Sequence, residues 1–367
     1  MLDYPDVFEK AAFSYLQGGI EAVIEGLRDT ILSAQKQKKE LLSAIIGQEE
    51  AKEKVLASLL AGHHLLIEGP PGVGKTTLTK HVASALPEIE VVKGCPYHCD
   101  PKAPVCPLCR KKLEDKVPLE KETISGVKRF IRLQGSPDLT AEDLLGDIDP
   151  TQAFKYGPQD YRAFTPGKLL KGNRGIVFFD ELNRVPEKLQ NALLQVLEEG
   201  AATIGPYDVD YPANFVMVAT MNPKERAGVE ELSDVLLDRF DMVKMSYPET
   251  SEREKAILEK YGLRLDGVQV PGEVTDAIVA LVRATREEPW SKELDQGASV
   301  RATLALYEKA QALALLEGRP RVEKADIGRM APSSLTTRIR PSPESKYYDD
   351  PGTFIQELVK GVLGAGK

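Results

Sequence analysis

No stretch of this sequence stays apolar for the ~18 consecutive residues that a membrane-spanning helix needs. The first residues, MLDYPDVFEK, have neither the basic start nor the apolar run of an export signal. Both absences set the expectation of a soluble, cytoplasmic protein with no membrane partner. An excess of positive charge is missing too: net charge is −8 and the sequence pI is near 5.4, which counts against wrapping nucleic acid phosphates as the main task. Aromatic residues make up only 6% of the chain, too few for extended base-stacking platforms. Cysteine is scarce as well. There are 4 among 367 residues, and Cys95, Cys99, Cys106 and Cys109 all fall inside GCPYHCDPKAPVCPLCR. A chain this long needs no covalent staples to bury a core, and clustered thiols in a reducing compartment more often hold a metal or do redox work than form disulfides.

What is present has the balance of an ordinary globular fold, 42% hydrophobic and 28% charged residues. Ile20, Val23, Ile24, Leu27 and Ile31 recur at helical spacing, so residues 1–40 read as an N-terminal helical segment. Residues 41–248 read as an α/β core, with short apolar runs alternating with helices as in a parallel sheet wrapped by helices. Strands are expected at Leu65 to Ile67, Phe130 to Leu133, Ile176 to Phe179, Phe215 to Ala219 and Met242 to Met245, and a helix from Pro186 to Glu199 stopped by Gly200. After Pro248 no strand pattern persists, and residues 249–340 read as an all-helical domain. Its first helix is expected to carry a capping box at Ser251 and Glu254 and to end at Gly262. Residues 341–367 read as a Pro- and Ser-rich linker with a last short helix.

GPPGVGKT, Gly69 to Thr76, lies between an apolar strand and a helix and fits the phosphate-binding pattern G-x-x-x-x-G-K-[ST]. Gly69, Pro70, Pro71, Gly72, Val73 and Gly74 form a loop whose backbone N–H groups face a phosphate, and the following helix adds partial positive charge. Lys75 reaches the β and γ phosphates, and Thr76, with Thr77 beside it, offers its hydroxyl to Mg²⁺. GIVFFDELNR, Gly175 to Arg184, ends an apolar strand in two carboxylates that point oppositely and can take separate tasks. Asp180 holds Mg²⁺ and Glu181 polarises the water that attacks the γ phosphate.

Together these residues resemble AAA+ ATPases, over a span from IIGQEEAK, Ile45 to Lys52, to LTTRIR, Leu335 to Arg340. The resemblance implies a P-loop αβα core with a parallel sheet and a helical lid. It places Ile46 and Gly47 in the segment that cradles adenine, Asn222 of VMVATMNP as the sensor at the end of a central strand, and Arg239 of LLDRFDM as the arginine finger. Arg301 of GASVRATLAL becomes the lid sensor. An arginine finger enters a neighbouring subunit's site, so the match implies a ring, most often a hexamer. QGSPDLTAEDLLGDIDP and FTPGKLLKGNRGIVFFDELNR resemble the MoxR branch, whereas LPEIEVVKGCPYHCDP is similar to the same segment of magnesium-chelatase ATPase subunits. Where chelatase subunits have an LPLGATEDR-like stretch, this chain has QGSPDLTAEDL. The chain is therefore identified as a member of the MoxR and chelatase-subunit-I clade.

Residues 88–128 form a Cys-rich insert too long for an ordinary α/β connection. The spacing C-x3-C-x6-C-x2-C brings four soft ligands within reach of one tetrahedral ion, and Pro96, Pro101, Pro104 and Pro107 stiffen the turns. Lys93, Lys102, Arg110, Lys111 and Lys112 offset the negative charge of four thiolates. The reading is structural Zn²⁺, with reduced thiols, an iron–sulfur cluster or a disulfide as alternatives, and His98 able to replace one cysteine. Two hairpins are expected as well: Gly200 to Phe215, turning at Gly205-Pro206, and one within Glu142 to Thr165.

The expected function is Mg²⁺-dependent ATP hydrolysis in a ring that remodels, assembles or metal-loads a partner. The resemblance implies a partner with a von Willebrand factor A domain. The alternatives are the motor subunit of a magnesium-chelatase-like metal chelatase and, less favoured by the acidic balance, a nucleic acid translocase.

Overall fold

The computed structural model of the chain describes residues 5–158, 160–204, 209–222 and 231–364. It divides into two compact units, Met1–Ile45 with Glu49–Gly69 and Gly74–Met245, and Ile46–Gln48 with Pro70–Val73 and Ser246–Lys367.

In the first unit, α1 (Pro5–Lys36) and α2 (Glu49–Ala61) lead into β1 (His64–Glu68), and α3 (Lys75–Ser84) follows the glycine-rich loop. β2 (Ile89–Val92) and β3 (Lys121–Ile124) pair antiparallel and flank α4 (Pro107–Glu114). Then come β4 (Phe130–Gln134), α5 (Ala141–Leu145), β5 (Gly146–Ile148), α6 (Pro150–Tyr156), β6 (Phe164–Pro166), α7 (Lys168–Lys171) and β7 (Gly175–Asp180). The helix α8 (Glu187–Glu199) precedes a hairpin of β8 (Ala201–Ile204) and β9 (Val209–Pro212), followed by β10 (Phe215–Met221), α9 (Asp234–Leu237) and β11 (Phe240–Lys244).

β11, β1, β10, β7 and β4 lie side by side in that order, every pair parallel. The three central strands are buried almost end to end, which is why they read as unbroken apolar runs. These five strands are the five expected from the sequence, with β11 beginning earlier, at Phe240. Val23, Ile24, Leu27 and Ile31 of α1 are buried. In α8, Leu189, Leu193 and Val196 are buried, and Gly200 ends the helix at φ 62°. Both inserted hairpins form, β5 with β6 and β8 with β9. The Gly205-Pro206 turn lies outside the described residues.

The second unit is mostly helical: α10 (Ser251–Tyr261), α11 (Gly272–Ala284), α12 (Val300–Leu316), α13 (Lys324–Leu335) and α14 (Pro351–Leu363). Ile278, Leu306, Ile327, Leu335 and Phe354 are among its fully buried residues. The expectation of no strands after Pro248 is corrected by a short antiparallel pair, β12 (Leu294–Gln296) with β13 (Arg340–Pro341). The Ser251 capping box is corrected too. Thr250 caps α10, its hydroxyl accepting from the Arg253 amide at 3.3 Å. Glu254 is fully buried instead, accepting from Arg286 Nη2 and from the Thr303 hydroxyl at 2.6 Å each, because a buried carboxylate needs such donors. The segment expected as a linker is not bare: Tyr347 is buried and meets the Phe354 ring edge-on at 5.2 Å.

His64 is a structural histidine. It is buried at the start of β1, and its Nδ1 accepts from the Met217 amide at 3.1 Å. Burial, with a smaller contribution from His63, depresses its pKa to about 4, whereas the unfolded chain titrates near 6.5. The folded state therefore refuses a proton that the unfolded chain accepts. Its stability advantage is full above about pH 6.5 and falls toward pH 4 by about 3 kcal/mol. We expect the thermal midpoint of wild type to drop more steeply across that window than that of His64→Gln; parallel profiles would contradict the assignment.

Candidate functional site

Glu68 stands opposite Met221, and Ala219 opposite Phe179. Gly69, Asp180 and Asn222 therefore leave the sheet at one edge, the carboxyl ends of parallel strands, where α/β folds bind ligands. The Gly69 amide donates to Met221 O at 3.3 Å. Lys75 opens α3 and donates Nζ to Gly69 O. Thr76 and Thr77 occupy the first turn of α3, whose N-cap, Gly74, stands at φ 100° with no side chain capping the helix. A helix N-terminus of this kind favours an anionic ligand. Gly74 and Gly72 (φ 79°) adopt left-handed backbone that side-chain-bearing residues avoid. This geometry fits a phosphate chain.

Within the helical unit, a Cβ on Gly72 would stand 2.7 Å from Ser299 Oγ and 3.4 Å from Arg301 Cγ. Arg301, in the first turn of α12, thus flanks Pro70–Val73. Gly47 lies beside Ile46 at φ 70° and packs against Arg253 in the same unit.

The two carboxylates at the end of β7 face separate partners. Asp180 accepts from the Thr220 hydroxyl at 2.7 Å and from Arg132 Nη2 at 2.8 Å. Glu181 accepts from Gln134 Nε2 at 2.8 Å and from Arg184 Nη1 at 3.1 Å. Glu181 also has left-handed backbone, φ 57°, uncommon for a residue with a side chain. Its amide is held there by donating to Thr220 Oγ1 at 3.0 Å. Gly135 passes so close that a Cβ would meet Glu181 O at 1.9 Å. Thr220, Arg132, Gln134 and Gly135 escaped the sequence reading. The available signal was a hydroxyl inside the apolar run FVMVATM, and it names no partner.

Asn222 follows β10 directly. Arg239 does not join this group. β11 runs parallel to β1 with Phe240 opposite His64, so Arg239 stands at the other edge of the sheet, where it pairs with Glu198 at 3.1 Å.

The four cysteines form a second centre. Their sulfurs all lie within 4.8 Å of one another, and Cys95 Sγ to Cys106 Sγ is 3.7 Å, close to the edge of about 3.8 Å that a tetrahedron with about 2.3 Å Zn–S bonds requires. That separation is far beyond the ~2.05 Å of a disulfide. Cys99, Cys106 and Cys109 are buried. Cys99 Sγ accepts from the Cys106 amide at 3.3 Å and Cys106 Sγ from the Cys109 amide at 3.4 Å. Hydrogen bonding from Cys106 first, then from Cys109 and Cys99, draws the Cys95 thiol far below its ordinary range. Cys109 first, then Cys95, Cys99 and burial, push Cys106 far above it. His98 turns away, its Nδ1 lying 3.1 Å from Asn173 O.

A phosphate loop, two strand-end acids and a polar residue on the neighbouring strand define a nucleotide hydrolase. Family models agree along the chain: magnesium chelatase, subunit ChlI, over residues 41–94; the ATPase family associated with various cellular activities over 120–242; and the AAA lid domain over 289–358. Magnesium-chelatase subunit ChlI-2 of Arabidopsis thaliana is 30% identical over 86% of this chain and 78% of its own length. Subunit ChlI of Chlorella vulgaris is 30% identical over 88% and 94%. The uncharacterized protein YeaC of Bacillus subtilis is 29% identical over 88% and 91%. The chain belongs to the AAA+ ATPases, in the clade of MoxR proteins and magnesium-chelatase subunit I, and is an ATP hydrolase that uses Mg²⁺. No helix among the described residues is long and apolar enough to cross a membrane.

Thr220→Val keeps the strand but leaves the Glu181 amide and Asp180 Oδ1 each short of a partner. A loss of about 1–3 kcal/mol follows, read as a lower thermal midpoint, and Thr220→Ser should recover most of it. A valine variant as stable as wild type would show that the clamp carries no energy.

Proposed function

We propose that Glu181 orients and polarises the attacking water, that Asn222 positions that water against the γ phosphate, and that Lys75 and Arg301 stabilise charge on the transferred group. Gly69 to Gly74 cradle the phosphates, with Thr77 supporting the first turn of α3, and Ile46 and Gly47 flank the base. Thr76 and Asp180 would hold Mg²⁺, which would supply positive charge to offset that of the phosphate chain. The observation that carries this reading is the convergence of Gly69, Asp180, Glu181 and Asn222 on one sheet edge.

Arg239 serves the neighbouring subunit's site in a ring, most simply a hexamer. Its place at the opposite sheet edge from its own phosphate loop supports a role in trans. The ring acts on a partner protein with a von Willebrand factor A domain, which it remodels or loads with metal. A chelatase motor is the second reading, favoured by the chelatase-subunit match over residues 41–94; coupling of ATP turnover to metal insertion into a tetrapyrrole separates the two. Zn²⁺ held by Cys95, Cys99, Cys106 and Cys109 is structural in this scheme, since four protein sulfurs leave no open position.

Glu181→Gln should bind ATP as wild type does and lose roughly 10²-fold or more in turnover. Arg239→Ala should likewise keep ATP affinity, with turnover down about 10³-fold or more. Steady-state hydrolysis with equilibrium nucleotide binding checks both. Full turnover in Glu181→Gln, or lost ATP binding in Arg239→Ala, would overturn the roles.

A further inference from the structure

The Cys centre lies among residues that do not belong to the insert. Tyr97, between Cys95 and Cys99, is 2% exposed, and its ring stacks on Tyr211 of β9 at 5.7 Å and 22°. Tyr211, 1% exposed, meets Phe164 of β6 at 4.9 Å. One aromatic chain thus runs from the cysteine loop through both inserted hairpins. The helix α4, which carries Cys109, packs against Tyr161–Ala163, the turn leading into β6.

The same loop is tied to the starts of two central strands. Asn173, fully buried, donates Nδ2 to Tyr97 O at 2.8 Å and accepts the Asn214 amide on Oδ1 at 3.1 Å. Arg174 donates Nη1 to His98 O at 2.9 Å and its amide to Asn214 O at 2.6 Å. Asn173 and Arg174 precede β7, and Asn214 precedes β10. The loop carrying Tyr97 is closed onto β2 by backbone bonds, Val92 donating to Cys99 O at 2.9 Å and His98 to Cys95 O at 3.2 Å, whereas the six residues between Cys99 and Cys106 form no helix or strand, so the cysteine cluster is what joins the Tyr97 loop to α4.

We propose that the tetrathiolate metal site is the clamp that orders the two inserted hairpins: a single Zn²⁺ fixes the Tyr97 ring, and that ring, through Tyr211 and Phe164, fixes β8–β9 and β5–β6. The inference rests on the Zn²⁺ assignment above and adds what the metal does. Ring pairs of this kind favour particular geometries beyond what burial alone supplies. Occupancy of the site therefore sets hairpin order from the sheet edge opposite the phosphate loop.

The test joins metal analysis of the full-length protein to amide hydrogen exchange. Purified protein should contain one zinc per chain, and stripping it with a chelator should speed exchange in 146–148, 164–166, 201–204 and 209–212 by about tenfold or more, while β1 stays protected. Tyr97→Ala should keep its zinc and show the same hairpin loosening; Tyr97→Phe should show neither change. A chain that binds no zinc even after reconstitution refutes the metal assignment itself. Zinc bound, with faster exchange after stripping confined to residues 89–124, refutes the clamp. If the stripped chain unfolds altogether, Tyr97→Ala decides: wild-type exchange in the hairpins of a zinc-loaded Tyr97→Ala protein refutes the clamp, and faster exchange there supports it.

Discussion

The Thr220 hydroxyl carries two hydrogen bonds on which the arrangement of the site depends, one donated to the Asp180 carboxylate and one accepted from the Glu181 amide. Thr220 is fully buried, so neither bond can be exchanged for water without cost. Between them they lock the end of β7 to the end of β10 and hold Glu181 in a backbone conformation that a residue with a side chain seldom adopts unaided. Gly135 completes the fit, since any side chain there would collide with the Glu181 carbonyl. The two acids are therefore positioned by the register of neighbouring strands and a single hydroxyl, and their side chains remain free to exchange the Arg132, Gln134 and Arg184 contacts for a substrate and its ion.

The far ends of the same two strands are held by a different device. Asn173 and Asn214 knit the starts of β7 and β10 to the cysteine loop, so each strand has a polar fastening at both termini and an apolar, fully buried body between them. At about 3.3 Å per residue, β7 separates the two fastenings by about 20 Å. That separation sets the cysteine loop at the end of these strands away from the two strand-end acids.

The sheet was legible in the sequence because strands covered on both faces must be apolar throughout, a local signal that LLIE, GIVFFD and FVMVAT all carry. The phosphate loop was legible for a related reason: its glycines, lysine and threonine are contiguous. Glu254 was misassigned because its true partners, Arg286 and Thr303, are 32 and 49 residues away, while a capping box is read within four positions. Thr220, Arg132 and Gln134 were invisible for the same reason, since each acts across a strand pairing that no spacing rule reports. Tyr347 looked like linker because Ser, Pro and Asp surround it, yet its buried ring, with the Ser342 amide and Ser345 hydroxyl both donating to Glu293, binds that segment to the helical core.

Because Arg239 stands away from its own phosphate loop, a role for it in ATP hydrolysis requires a site shared between neighbouring subunits. Mixing two inactive proteins, Lys75→Ala and Arg239→Ala, tests it directly. In a mixed ring, an Arg239→Ala subunit has an intact phosphate loop, and a Lys75→Ala neighbour offers it an intact arginine. ATP hydrolysis should reappear on mixing and pass through a maximum as the ratio is varied. A mixture as inactive as its components, with mixed assemblies demonstrated by differential tagging, would contradict it.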